Sequence, residues 1–113
     1  MDRKKNISII GGAGHVGFPL GLVLSSKNYT VNLIDKNIEY LNKIQNGYPP
    51  FLEEGSEKLL NKVFRKKKII LSKKLEDVKK SKYIIVCIGT PVSKRLTPKL
   101  QSFINFFKIL KKY

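Results

Sequence analysis

The chain holds a single cysteine, Cys87, and a single histidine, His15. One cysteine excludes an internal disulfide framework, so the cytoplasm is the default location. No apolar stretch approaches the roughly 20 residues that a membrane-spanning helix needs. The charged residues 1–5 lead into an apolar run that Gly11, Gly12 and Gly14 break at once, which argues against a signal peptide. Acids are scarce too. Eight Asp and Glu stand against 23 Lys and Arg, a formal net charge of +15. That balance suits an anionic ligand, an anionic surface or nucleic acid. Arginine supplies only three of the 23 cations, yet phosphate and base recognition favours its fork geometry. The basic character is therefore read as a lysine-rich solvated surface and not as a nucleic-acid interface.

What is present fits one folded domain, residues 1–113. Apolar residues make up 42% of the chain and are spread along it, which suits a packed core. Residues 6–10, N-I-S-I-I, read as a buried strand. Residues 11–17 follow as G-G-A-G-H-V-G. Val16, Phe18, Leu20, Leu22, Val23 and Leu24 then give an apolar helix, with Pro19 near its start, where few backbone donors have partners to lose. Residues 29–34 are a second strand. Ile38, Leu41 and Ile44 mark a short helix that stops at Asn46-Gly47. Two prolines make residues 48–55 a loop. Leu59, Leu60, Val63 and Phe64 mark a further helix. Its basic end, residues 65–68, suits the helix dipole.

Residues 69–71 are a third strand, residues 75–80 a helical turn, and residues 83–88, Y-I-I-V-C-I, a fourth strand. Residues 97–110 form a final helix with Phe103, Phe106, Phe107 and Leu110 on its apolar stripe. Strand–helix alternation of this kind predicts an α/β fold, a doubly wound parallel sheet in order 3-2-1-4. That is part of a Rossmann-type dinucleotide-binding domain. Four strands leave the outer edge of the fourth strand and part of the last helix without cover, so self-association or a completing polypeptide is expected.

The chemistry-bearing pattern is Gly12-x-Gly14-x-x-Gly17 between a strand and a helix. The first glycine permits a tight turn, the second lets the backbone approach a pyrophosphate, and the third lets the helix pack close to the strand. Ala13, His15 and Val16 complete the loop, whose N–H groups lie at the positive end of a helix dipole. Asp35 follows Gly17 by 18 residues, at the end of the second strand. A carboxylate there accepts from the adenosine ribose hydroxyls and repels a 2′-phosphate, which favours NAD over NADP. Lys36, beside it, weakens that preference. A second register, Gly11-x-x-Gly14-x-x-Gly17, matches the glycine pattern of extended short-chain dehydrogenases. Those enzymes use a Tyr-x-x-x-Lys base, and no tyrosine here has a lysine four residues on.

Two more segments decide between the registers. Residues 50–55, P-F-L-E-E-G, resemble the P-x-x-E-x-G loop of the UDP-glucose/GDP-mannose dehydrogenase family. Residues 86–92, V-C-I-G-T-P-V, resemble that family's fourth-strand signature, and G-G-A-G-H-V-G-F-P-L-G-L resembles its opening, above all in its UDP-N-acetylmannosamine dehydrogenase-like branch. The resemblance implies NAD as cofactor and two-step oxidation of a UDP-sugar C6 alcohol to the uronate. It assigns Gly12, Gly14 and Gly17 to the pyrophosphate, Asp35 to the adenosine ribose with Lys36 beside it, Thr90 and Pro91 to the cofactor edge, and Glu53 and Glu54 to loop structure. The family's catalytic cysteine sits in a Cys-Phe-Pro-Lys-type motif that residues 1–113 do not contain. The resemblance therefore gives no catalytic residue here, and the UDP-sugar belongs to the full-length enzyme. Cys87, inside an apolar strand, reads as a buried thiol. His15 reads as a loop-packing residue, since a general base there would lack substrate-reading partners.

Overall fold

The computed structural model describes residues 6–88 and 100–113. Four strands form one parallel sheet: β1 (Asn6–Ile10), β2 (Thr30–Ile34), β3 (Ile69–Ser72) and β4 (Tyr83–Val86), in the order β3-β2-β1-β4. The α-helices are α1 (Gly17–Ser26), α2 (Ile38–Gln45), α3 (Ser56–Arg65) and α4 (Leu100–Leu110), with a 3-10 helix at Leu75–Lys80. The expected order and element sequence hold.

Alternation within the strands sorts their side chains onto two faces. Register places Ile9 opposite Leu33 and Ile85, and Leu33 opposite Leu71. This row lies under α1 and α3. Ile9, Leu33, Ile44 and Leu60 are fully buried in that layer. Burying each such side chain stabilises the fold by roughly 1.5–3 kcal/mol. Helix α1 turns Phe18, Gly21, Leu22 and Ser25 inward, one face at three- and four-residue spacing. Val16 and Val23, expected on that face, are exposed. The helix sits so low on the sheet that a Cβ at Gly21 would lie 2.7 Å from Leu33 Cδ2.

The opposite face carries Ile10 and Ile34, covered by Val78 of the 3-10 helix and by Phe106 and Leu110 of α4. Phe107, expected on the apolar stripe, is 40% exposed. The expected positions of Thr97, Pro98 and the Phe103 side chain lie outside the described residues. The fourth strand is two residues shorter than expected, and it is not covered on both faces: Tyr83 and Ile84 are exposed. Among the described residues nothing pairs with its outer edge. One ion pair forms among them, Lys80 with Asp77 at 3.8 Å, in keeping with a solvated lysine surface. No helix of the described residues is long and apolar enough to cross a membrane.

Candidate functional site: the glycine turn and the end of the second strand

Register pairs Ile10 with Ile34. The turn after β1 and the turn after β2 therefore leave the sheet side by side, at its C-terminal edge. β1 has β2 on one side and β4 on the other, which makes this edge the point where strand order reverses. In open α/β sheets ligands bind there.

The glycine turn is tied down from below. The Gly11 and Gly12 N–H groups both donate to Ile34 O, at 2.8 and 3.1 Å, and Gly14 N–H donates to Gly11 O at 3.1 Å. The glycines divide the work differently from the expected assignment. Gly11, not Gly12, takes the left-handed conformation, with φ +81°, and a Cβ there would lie 2.2 Å from Cys87 O. Gly12 makes a close approach to β2: its Cβ would lie 2.8 Å from Leu33 Cα. Gly17 packs the helix onto the turn, with a would-be Cβ 2.3 Å from Gly11 O. Gly14 is the open one. Its Cβ would meet only Gly11 O, at 3.3 Å. The second register thus contains the glycine with the positive φ, and both registers describe constrained positions of one turn.

Beyond Gly14 the turn rises to the start of α1. Val16 caps the helix without a side-chain hydrogen bond. Among the described residues, the N–H groups of His15, Val16 and Gly17 have no backbone acceptor. Three donors without a backbone acceptor at a helix N-terminus have the geometry and the dipole that suit an anion.

Asp35 joins the two turns. Its Oδ2 accepts from Ala13 N–H at 2.9 Å and its Oδ1 from Asn37 N–H at 2.9 Å. Each oxygen keeps a lone pair for a further donor. Asn37 in turn caps α2 by accepting from Tyr40 N–H. Asp35 is thus a strand-end cap and a brace for the glycine turn at once. Beside it opens a cavity of about 420 Å³, walled by Ile10, Ile34, Leu75, Ile88, Phe106 and Ile109, with Asp35, Lys36 and Lys73 at its polar part. Apolar walls with an acceptor and cations at one side suit a heteroaromatic base joined to a sugar phosphate. Another cavity, of about 220 Å³, lies against the first residues of β1 and β2 and the 3-10 helix, lined by Asn6, Thr30, Asn32 and Asp77. No residue of the glycine turn lines it.

His15 packs as a loop residue, its ring stacked on Phe51 at 3.7 Å between centroids. Glu53 serves the loop through its backbone: its carbonyl accepts the N–H and the hydroxyl of Ser56. Cys87 is part-buried just past β4, and desolvation pushes its thiol pKa up, the direction of an unreactive thiol. Thr90 and Pro91 lie outside the described residues. No cluster of metal-ligating side chains occurs among those described. Sequence reasoning names Gly11 as a site residue only in the second register and Phe51 only within the P-F-L-E-E-G segment, and passes over Lys73 and Tyr40. The rival glycine register carried a signal for Gly11. Lys73 is one more lysine among many until the sheet brings it to the wall of the cavity that Asp35 also lines.

A parallel sheet in this order, with a glycine turn after its first strand and a bracing acid after its second, defines a dinucleotide-binding domain. The comparisons with known proteins make the class specific. Residues 5–113 match the model of the UDP-glucose/GDP-mannose dehydrogenase family, NAD binding domain, and the chain belongs to that family. The UDP-N-acetyl-D-mannosamine dehydrogenase of Pyrococcus horikoshii is 30% identical over 82 residues, covering 73% of this chain and 20% of that protein. A glycerol-3-phosphate dehydrogenase [NAD(P)+] of Phytoplasma mali is 34% identical over 99 residues, covering 88% of this chain and 27% of its own length. The structure of a ternary complex of GDP-mannose dehydrogenase from Pseudomonas aeruginosa superposes with a TM-score of 0.80 at 27% identity, over 88% of this chain and 23% of that one. The chain spans between a fifth and about a quarter of the length of these relatives. NAD is the cofactor of the domain it carries.

Proposed function

We propose that residues 1–113 are the cofactor-holding part of a nucleotide-sugar 6-dehydrogenase. The observation that carries this reading is the Asp35–Ala13 hydrogen bond, which couples the ribose-reading acid to the pyrophosphate-reading turn across 22 residues. In this assignment the pyrophosphate lies on the backbone of Gly12, Ala13, Gly14, His15, Val16 and Gly17, its charge met by the three open N–H groups. Asp35 takes the adenosine ribose hydroxyls, and Lys36 flanks them. The adenine base occupies the cavity walled by Ile10, Ile34 and Phe106. Thr90 and Pro91 border the cofactor at the switch point.

When bound, NAD supplies the hydride acceptor for oxidation of a UDP-sugar C6 alcohol to the uronate. Residues 1–113 contribute binding and orientation to that reaction, and none of them is assigned to proton transfer or covalent catalysis. Cys87, whose carbonyl lies against the glycine turn and whose thiol pKa burial pushes up, is given no part in the chemistry. The edge of β4 that no described residue pairs with offers a place for a further strand, from the same polypeptide, a second copy or a completing chain, to extend the sheet.

Isothermal titration of the purified chain with NAD, NADP and a UDP-sugar tests the reading. Saturable NAD binding, weaker NADP binding and no UDP-sugar binding are expected. UDP-sugar binding without NAD binding would overturn the assignment.

A further inference from the structure

The glycine turn is held on both sides of the residue that a pyrophosphate has to approach. On one side Asp35 Oδ2 takes the Ala13 N–H at 2.9 Å. On the other the His15 ring lies flat on the Phe51 ring, 3.7 Å between centroids and 24° between planes. Phe51 is fixed in turn by Tyr40 of α2, edge-on at 5.2 Å and 83°. Tyr40 stands in the first turn of the helix that Asn37 caps, and Asn37 N–H donates to the other Asp35 oxygen. The two braces therefore share one foundation. Gly14 stands between them, its N–H on Gly11 O at 3.1 Å and its carbonyl accepting from Phe18 N–H at 3.0 Å, but with no side chain of its own to pack. His15 is itself exposed, and its neighbours Gly14 and Val16 give it no side-chain anchor. A stacked ring pair shifts such a local equilibrium by roughly 2- to 12-fold.

We propose that Phe51 is a positioning residue for the dinucleotide: by stacking on His15 it holds the N–H donors after Gly14 in the binding geometry without touching the cofactor. This rests on the dinucleotide reading of the glycine turn and adds to it a role for the 48–55 loop, which otherwise only connects α2 to α3. Pre-organisation of this kind raises affinity by removing the ordering cost from the binding step.

The test has two independent readouts on the full chain. The first is 15N relaxation without ligand. Order parameters of Gly14, His15 and Val16 are expected near about 0.85 in the wild type and below about 0.6 in Phe51→Leu, which keeps apolar bulk but loses the ring. The second is NADH titration. Phe51→Leu is expected to bind roughly 5- to 10-fold more weakly, and Phe51→Tyr like the wild type. His15→Leu, at an exposed position, is expected to show the same loss, and the double variant no further loss, because both remove one stack. A turn that stays rigid in Phe51→Leu and His15→Leu, or single losses that add in the double variant, would overturn the proposal. A turn that loosens on substitution in a chain that binds no NADH would support the brace and overturn the dinucleotide reading instead.

Discussion

A methyl group placed at Gly17 and one placed at Gly14 have opposite consequences in this structure. At Gly17 the new Cβ falls 2.3 Å from Gly11 O and 3.0 Å from both Gly11 C and Gly12 Cα. These are backbone atoms, so relief requires α1 and the turn to separate by about 1 Å. Overpacking of this order costs about 1–3 kcal/mol, or a melting temperature lower by roughly 4–12 °C at about 4 °C per kcal/mol. The same displacement pulls the turn off Ile34 O and out of its binding shape. At Gly14 the Cβ falls 3.3 Å from Gly11 O and meets nothing else. A shift of a few tenths of an ångström removes that contact, and the cost stays below about 1 kcal/mol. The methyl then stands where the proposed assignment lays the pyrophosphate, so affinity is expected to fall at least about tenfold. Circular-dichroism melts and NADH fluorescence titrations separate the two variants, and the chain's lack of tryptophan leaves the NADH signal free of protein indole emission. Gly17→Ala melting like the wild type would refute the close-packing argument. Gly14→Ala binding NADH like the wild type would refute the approach of the phosphates to that residue.

Other substitutions probe the acid after β2, the core and the thiol. Asp35→Asn leaves one acceptor oxygen for two N–H donors and puts an amide N–H against the other. NAD affinity is expected to fall about tenfold and the NAD-over-NADP preference to narrow, read by paired titrations. Leu33→Ala removes a fully buried side chain from the row under α1, and chemical denaturation is expected to show a loss of about 2–5 kcal/mol. Burial raises the Cys87 pKa, so the folded thiol stays protonated where an unfolded one ionises. Any stability this confers is present at neutral pH and is lost as pH rises above the ordinary thiol pKa of about 8.5. Thiol labelling at pH 8 is expected to be slower in the folded chain than in urea, and equal rates would show that the thiol is not shielded.

The architecture was legible because its strands and helices carry different periods. The run N-I-S-I-I buries every residue, as a central parallel strand does, and the Asn46-Gly47 stop and the Pro-Pro loop mark real boundaries. The parallel sheet followed from strand–helix alternation, and its order from the simplest doubly wound arrangement of four strands. Side-chain direction was less legible in α1, where Leu20, Leu22, Val23 and Leu24 surround the helix with apolar residues and leave no polar side to orient it. Gly21 and Ser25, small enough to let the helix lie low on Leu33, decide its face. At the site, the glycines and Asp35 were readable as a set because their chemistry is local to two turns. Which glycine needs the positive φ was not, since Gly11 and Gly12 are adjacent and only the nearness of Cys87 O distinguishes them. The stack of His15 on Phe51 joins residues 36 positions apart through a turn and a loop, and no sequence period reports such a contact.

In the proposed function the turn after β1, braced by Asp35, holds NAD. Titrating the purified wild-type chain and Gly14→Val with NADH tests it most directly, each checked by its melting curve. Saturable binding to the wild type and its loss in a Gly14→Val chain that remains folded are expected. A folded wild type that does not bind, or a Gly14→Val chain that binds as the wild type does, would contradict that function.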